Sequence, residues 1–184
     1  MVIDRYIKMA EEKNLPYYKV YGTATKGYIL AEIGKTEEGL KHYKKVMKMV
    51  ETEDMPQAMR ENLKSMAHLW EFYAFTSQGD MEEAEKSRQR CQSRLDEKGN
   101  KALWKTYHQI SGLMEIHKGN YDEARKMLTQ AWDSPSSWYY MGMAWHKEGH
   151  KDKARKYYQK VADHFENNIE LGAIRNKAIA GLKE

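Results

Sequence analysis

One ten-residue phrase occurs four times in this chain, as GKTEEGLKHY from Gly34, GDMEEAEKSR from Gly79, GNYDEARKML from Gly119 and GHKDKARKYY from Gly149. Each copy opens with glycine, continues with polar and mostly acidic residues, and carries a small residue five positions on, at Gly39, Ala84, Ala124 and Ala154. Before Gly119, residues Leu103, Tyr107, Ile110, Met114 and His117 recur at spacings of three and four, the stripe of an amphipathic helix. Glycine ends such a helix because it takes the left-handed conformation without a Cβ penalty. Acids just after it, at Glu37, Glu82 and Asp122, suit the positive end of the next helix dipole. Each phrase is therefore read as the elbow of a helical hairpin.

The spacing also predicts how the hairpins close. Asn120 with Glu123 and Asp80 with Glu83 read as capping boxes, Lys35 with Glu38 keeps only the carboxylate half, and Lys153 replaces the glutamate in the last copy, leaving the weakest cap. Twelve residues before three of the small positions stand Gly27, Gly112 and Gly142, so small faces small where the antiparallel helices cross. Phe72 holds that place in the second hairpin, which predicts a splayed or rotated pair.

Starts and stops give an N-terminal helix over 2–13 with Ile3, Tyr6, Ile7 and Ala10 on one face. Hairpins follow at about 16–51, 56–97, 101–132 and 135–165, with a last helix at 169–182 that turns Leu171, Ile174, Ala178 and Leu182 inward as a terminal cap. Without a low-complexity linker, residues 1–184 read as a single domain.

Composition narrows the function classes. The chain has 184 residues, of which 32% are charged and 41% hydrophobic, with only 3 prolines, a helix-forming mix. A net charge of +4 is too small to imply nucleic acid, and the basic stripe Lys41, Lys44, Lys45 and Lys48 reads as a solvated face. The single cysteine, Cys91, forms no internal disulfide and reads as a small buried hydrophobe. No apolar run is long enough for a membrane span, and the charged N-terminus lacks a signal-peptide centre, so a cytoplasmic chain is expected; a trimmed piece of a larger or exported protein would read the same. HKEGH, His146–His150, misplaces the glutamate required by a zinc-protease helix, and the remaining histidines lack ligand spacing. No nucleophile elbow, phosphate loop or carboxylate pair stands in a catalytic frame, so no enzyme activity, metal or cofactor is expected.

Trp138, Met141, Gly142, Trp145, Gly149, Ala154 and Tyr158, and less fully Gly112, Gly119, Tyr121, Ala124, Leu128 and Ala131, resemble tetratricopeptide repeats. Elbow spacings of 45, 40 and 30 depart from that family's 34, so the array is irregular. The resemblance implies an all-α, right-handed superhelix, an α-solenoid of about four antiparallel hairpins with an extra helix at each end. It also implies that the first helices line a concave face, carrying Tyr21, Thr25, Tyr28, Trp70, Tyr73, Gln109, Leu113, Tyr139, Tyr140, Met143, His146 and Lys147. Rings with polar tips suit the gripping of a partner, which makes a non-catalytic scaffold for a protein or peptide the expected function.

The family's clamp for acidic chaperone tails needs basic residues where this chain has Ala24, Tyr28, Thr106, Ile110, Ser136 and Tyr140, which argues against that partner. The alternative is self-association into a homo-oligomer through the end helices, because Ile3, Tyr6 and Ile7 need cover. Nucleic-acid binding through the lysine stripe is a weaker third reading.

Overall fold

The computed structural model describes residues 2–165 and 169–184, apart from the side chains of Ile169, Glu170 and Ala173. Among the described residues every regular element is a helix: α1 (Val2–Glu12), α2 (Pro16–Glu32), α3 (Thr36–Thr52), α4 (Gln57–Gln78), α5 (Met81–Lys98), α6 (Lys101–Lys118), α7 (Tyr121–Gln130), α8 (Pro135–Lys147), α9 (Lys151–Asp163) and α10 (Ile169–Gly181). Contacts divide the chain into two compact units, 1–103 and 104–184, with the division near the start of α6.

The four elbow glycines have φ of +82° at Gly34, +81° at Gly79, +81° at Gly119 and +93° at Gly149. Each closes its helix with the same pair of backbone bonds. In the first elbow the Lys35 amide donates to the Leu30 carbonyl at 2.8 Å, and the Gly34 amide to that of Ala31 at 3.1 Å. The pair recurs as Asp80 to Phe75 with Gly79 to Thr76, Asn120 to Glu115 with Gly119 to Ile116, and His150 to Trp145 with Gly149 to His146. This is the Schellman arrangement, which satisfies carbonyls that the helix end would otherwise orphan.

Helix starts match the expectation only in part. Asp80 does cap α5, accepting from the Glu83 amide at 3.2 Å. Asn120 does not cap α7; its side-chain amide nitrogen donates back to the Glu115 carboxylate at 2.7 Å. Two caps do their work elsewhere: Asn100 accepts from the amides of Ala102 and Leu103, at 3.0 and 3.1 Å, and Ser134 accepts from the Ser137 amide ahead of Pro135.

In the first unit, α2, α3 and α4 enclose a core of Val20, Ala24, Val46, Met49, Val50, Met55, Leu63 and Ala67. Helix α1 lies along α2, with Ile3 and Ala10 buried and the Tyr6 ring and Ile7 resting on Gly22. A Cβ at Gly22 would stand 2.8 Å from the Tyr6 ring. The apolar face of α1 thus finds its cover inside the chain. In the second unit, α10 packs on α8 and α9, burying Leu171, Ile174 and Ala178 against Ala154, Tyr158 and Val161.

The crossing glycines have a second cause beyond small facing small. A Cβ at Gly39 would stand 2.7 Å from the Gly27 carbonyl oxygen, so this pair does meet backbone to backbone. The residue sixteen positions after each first-helix glycine also needs the space: Cβ atoms would stand 2.7 Å from the Tyr43 ring at Gly27, 2.6 Å from Leu128 at Gly112 and 2.7 Å from the Tyr158 ring at Gly142. The second hairpin reverses the arrangement, with Phe72 fully buried on α4 while α5 turns Ala84, Ser87 and Cys91 inward beside Leu95.

Gly39→Ala is expected to destabilise the chain by about 1–2 kcal/mol, the overpacking cost outweighing alanine's better helix propensity. Gly172→Ala, at a helical site with nothing within 4 Å, is expected to stabilise it by roughly 0.5–1 kcal/mol. Urea midpoints of the two variants check both signs.

Candidate functional site

The residues expected to hold a partner fall into two sets, one in each unit. In the first unit, Tyr21 stands on the first turns of α2 beside Tyr17 and Tyr18, two rings not among the expected contacts. The Tyr17 ring meets that of Tyr18 edge-on at 5.5 Å and stacks parallel to that of Tyr21 at 6.3 Å. Tyr21 then meets Trp70 of α4 at 6.4 Å, and Trp70 stacks on the buried Tyr43 at 6.2 Å. The result is a row of rings that starts in solvent and ends in the core. Tyr18 is 49% exposed and Tyr21 39%, whereas Trp70 is half-buried. Tyr28, also half-buried, lies 5.2 Å from Tyr73.

Tyr73 itself is buried and donates its hydroxyl to the Glu32 carboxylate, so it belongs to the packing between α2 and α4 and not to a partner-facing surface. The hydroxyl of Thr25 is turned back to the Tyr21 carbonyl at 2.9 Å.

In the second unit, Leu113 and Tyr140 are buried at 5% exposure each and are likewise core. The Gln109 amide oxygen is engaged, accepting from Ser137 at 3.0 Å and from Ser134 at 3.5 Å. Tyr139 is half-buried against Tyr140 and Tyr158, within the cluster that α10 covers. Met143 is half-buried and Lys147 exposed. His146 lies 3.3 Å from the Glu184 carboxylate, beside a cavity of ≈ 190 Å³ lined also by Lys151 and Arg155. The docking of α10 therefore gives the Tyr139 region an occupant from this chain. Which rings α10 would claim was not readable from helix periodicity, because the docking brings together residues far apart in sequence.

Trp145 of α8 forms the joint between α7 and the hairpin that follows it. The Arg125 guanidinium lies 3.8 Å from its ring centre and Lys153 4.0 Å. Arg125 also donates to Glu148 at 2.7 Å and pairs with Asp122, while its own side chain is only 13% exposed. A cation held between a ring face and two carboxylates gains more than a surface pair because little water screens it.

Burial lowers the pKa of His42, His68, His108 and His117, which lie along α3, α4 and α6. Burial pushes the Cys91 thiol up to about 12, the opposite of an activated thiolate. Among the described residues no group of three or more His, Cys, Asp or Glu side chains is placed to hold a metal ion, and no helix is long and apolar enough to cross a membrane. The lysines of the α3 stripe are all exposed.

Helices paired by glycine elbows, each pair packed on the next within its unit, define the class of helical-hairpin repeat proteins. The tetratricopeptide repeat family matches residues 135–168, the hairpin of α8 and α9, and the chain carries a tetratricopeptide repeat there. No curated protein and no solved structure matches the chain significantly.

Two outcomes test this description. Arg125→Ala is expected to cost about 2 kcal/mol, since it strands Glu148 and uncovers Trp145, with Arg125→Lys recovering only part; chemical denaturation followed by tryptophan fluorescence measures it. Cys91 is expected to resist an aromatic disulfide reagent at pH 8 until urea unfolds the chain. With the folded pKa raised, the thiol's contribution to stability is intact below the unfolded pKa and is lost as pH climbs toward 12, so Cys91→Ala should flatten the alkaline limb of a stability profile.

Proposed function

We propose that this chain is a non-catalytic scaffold that captures a protein or peptide partner on the half-exposed rings of its first helices, with Tyr21, Tyr28 and Trp70 as the principal contacts and Tyr18 beside them. Tetratricopeptide repeats serve in general as protein-interaction modules, and that supports the broad class. The observation that carries the finer reading is the exposure of Tyr18 and Tyr21. Large rings with free polar tips lie on a helix whose opposite face is core, the amphipathic chemistry enriched at binding surfaces. Met143, His146 and Lys147 in the second unit form a secondary surface whose neighbour Tyr139 is shared with α10. A cytoplasmic setting suits the buried free thiol, and the lysine stripe adds a solvated face without a defined ligand.

Self-association through α1 has lost its motive, because Ile3, Tyr6 and Ile7 rest on α2. The double variant Tyr18→Ala/Tyr21→Ala is expected to lose at least about tenfold of partner capture, the consequence of removing two central rings, while its helical circular dichroism stays unchanged. Tyr139→Ala is expected to leave capture within about twofold. Capture that survives the double variant and fails in Tyr139→Ala would move the site to the second unit.

A further inference from the structure

The helix that covers the second unit is built unlike the hairpin beneath it. Helix α10 packs on α8 and α9 through a narrow described stripe, Leu171, Ile174 and Ala178, with Leu182 half-buried beyond them. Its far end is held by polar groups. The Glu184 carboxylate lies 3.3 Å from His146, and Lys151 donates to the Glu184 main-chain oxygen at 2.8 Å. The Glu184 side chain is 67% exposed, so water screens that pair and weakens the hold.

Helix α10 is also poorly made as a helix. At 13 residues it is marginal by itself in water, and it contains both Gly172 and Gly181, which lower helix propensity further. Gly181 has a packing cause, because a Cβ there would stand 2.6 Å from the Tyr158 ring. Gly172 has none, since a Cβ there would meet nothing within 4 Å. The cover thus carries a weakness that its docked packing does not require.

The hairpin below keeps its own fastening. The Tyr158 ring is wedged between two glycines, with the Cδ1 and Cε1 edge toward Gly142 of α8 and the Cδ2 and Cε2 edge toward Gly181 of α10. Undocking α10 removes the second contact and leaves the first, along with the elbow at Gly149. A segment held this lightly over an independently fastened hairpin opens at less cost than global unfolding. What it uncovers is the surface around Tyr139 and His146.

We infer that α10 is a self-docked cover, which leaves its seat while α8 and α9 stay folded, and that the open seat accepts a second short helix of the same chemistry. That chemistry is read from the present occupant: apolar residues at i, i+3 and i+7, as at Leu171, Ile174 and Ala178, and an acid at i+13, as at Glu184. This goes beyond the reading of the α2 rings as a capture surface and does not rest on it.

The test uses the full chain and two readouts. In native-state hydrogen exchange, the amides of residues 174–180 are expected to share one protection factor, at least about tenfold below that of Tyr158–Val161 and nearly independent of low urea. Gly172→Ala is expected to raise it uniformly by about two- to fivefold. Rates graded along the helix, or equal to those of α9 with the same urea slope, overturn the inference.

In the second readout, a fluorescein-labelled peptide of residues 169–184 is titrated into the chain, with a scrambled peptide as comparator. Ile174→Asp, which unseats the chain's own helix, is expected to tighten peptide binding at least about tenfold over the unsubstituted chain, and Gly172→Ala to weaken it about two- to fivefold. Protection at Tyr158–Val161 checks that Ile174→Asp keeps the hairpin; should it not fold, the unsubstituted chain against Gly172→Ala carries the comparison. Peptide affinity indifferent to the substitutions, or matched by the scrambled peptide, overturns the inference.

Discussion

Everything in this fold hangs on a backbone constraint at four points. A helix end leaves its last carbonyls without an intrahelical partner, and a helix that must reverse direction within three residues has little room to satisfy them. A glycine at φ near +80° solves both problems at once, turning the chain back while two amides reach the orphaned carbonyls. Once the reversal is set, the paired helices cover each other's apolar flanks, and the hairpins of each unit have fixed faces to offer their neighbours. An L-residue with a side chain at such a point must hold the left-handed conformation at a cost of roughly 1–2 kcal/mol, even though a Cβ there would meet nothing within 4 Å.

The elbows and helix pairs were legible because their causes are local. Left-handed glycine, a three-to-four apolar spacing and acids in a first turn act within a few residues, and the outer bounds of the hairpins lie within two residues of those read, as at Pro16, Lys101 and Pro135. Caps were less legible, because a cap is a competition. Asn120 turns its amide nitrogen to a carboxylate on the helix before it, whereas Asp80, with no N–H to donate, accepts from the Glu83 amide and caps.

The candidate site was the least legible part, since exposure depends on how helices are rotated and on what docks from a distance. Tyr73, Leu113 and Tyr140 share the spacing of partner-facing residues yet are buried, and Tyr139 is taken up by the cluster under α10. Conversely, Tyr17 and Tyr18 stand in the first turns of α2, upstream of the repeat offsets that assigned the face, and so escaped a pattern anchored on later positions. The signal that could have found them was the density of tyrosines between Pro16 and Gly22, which exceeds what one buried face of a helix can absorb. The same long-range logic explains the glycines opposite Tyr43, Leu128 and Tyr158: their contacts lie sixteen residues on, across the hairpin.

One feature of the second hairpin bears on how such an array can change over time. Hairpins one, three and four place the notch on the leading rod and the bulk on the returning one, whereas hairpin two places Phe72 on the leading rod and small residues opposite. The rods are keyed in opposite senses and cannot be interchanged. A recombination event that spliced α4 to α7 would press Phe72 against Leu128, and one joining α6 to α5 would leave a hole at Gly112. Exchange of single rods is thereby penalised, and the partner of each rod within its hairpin is set by shape.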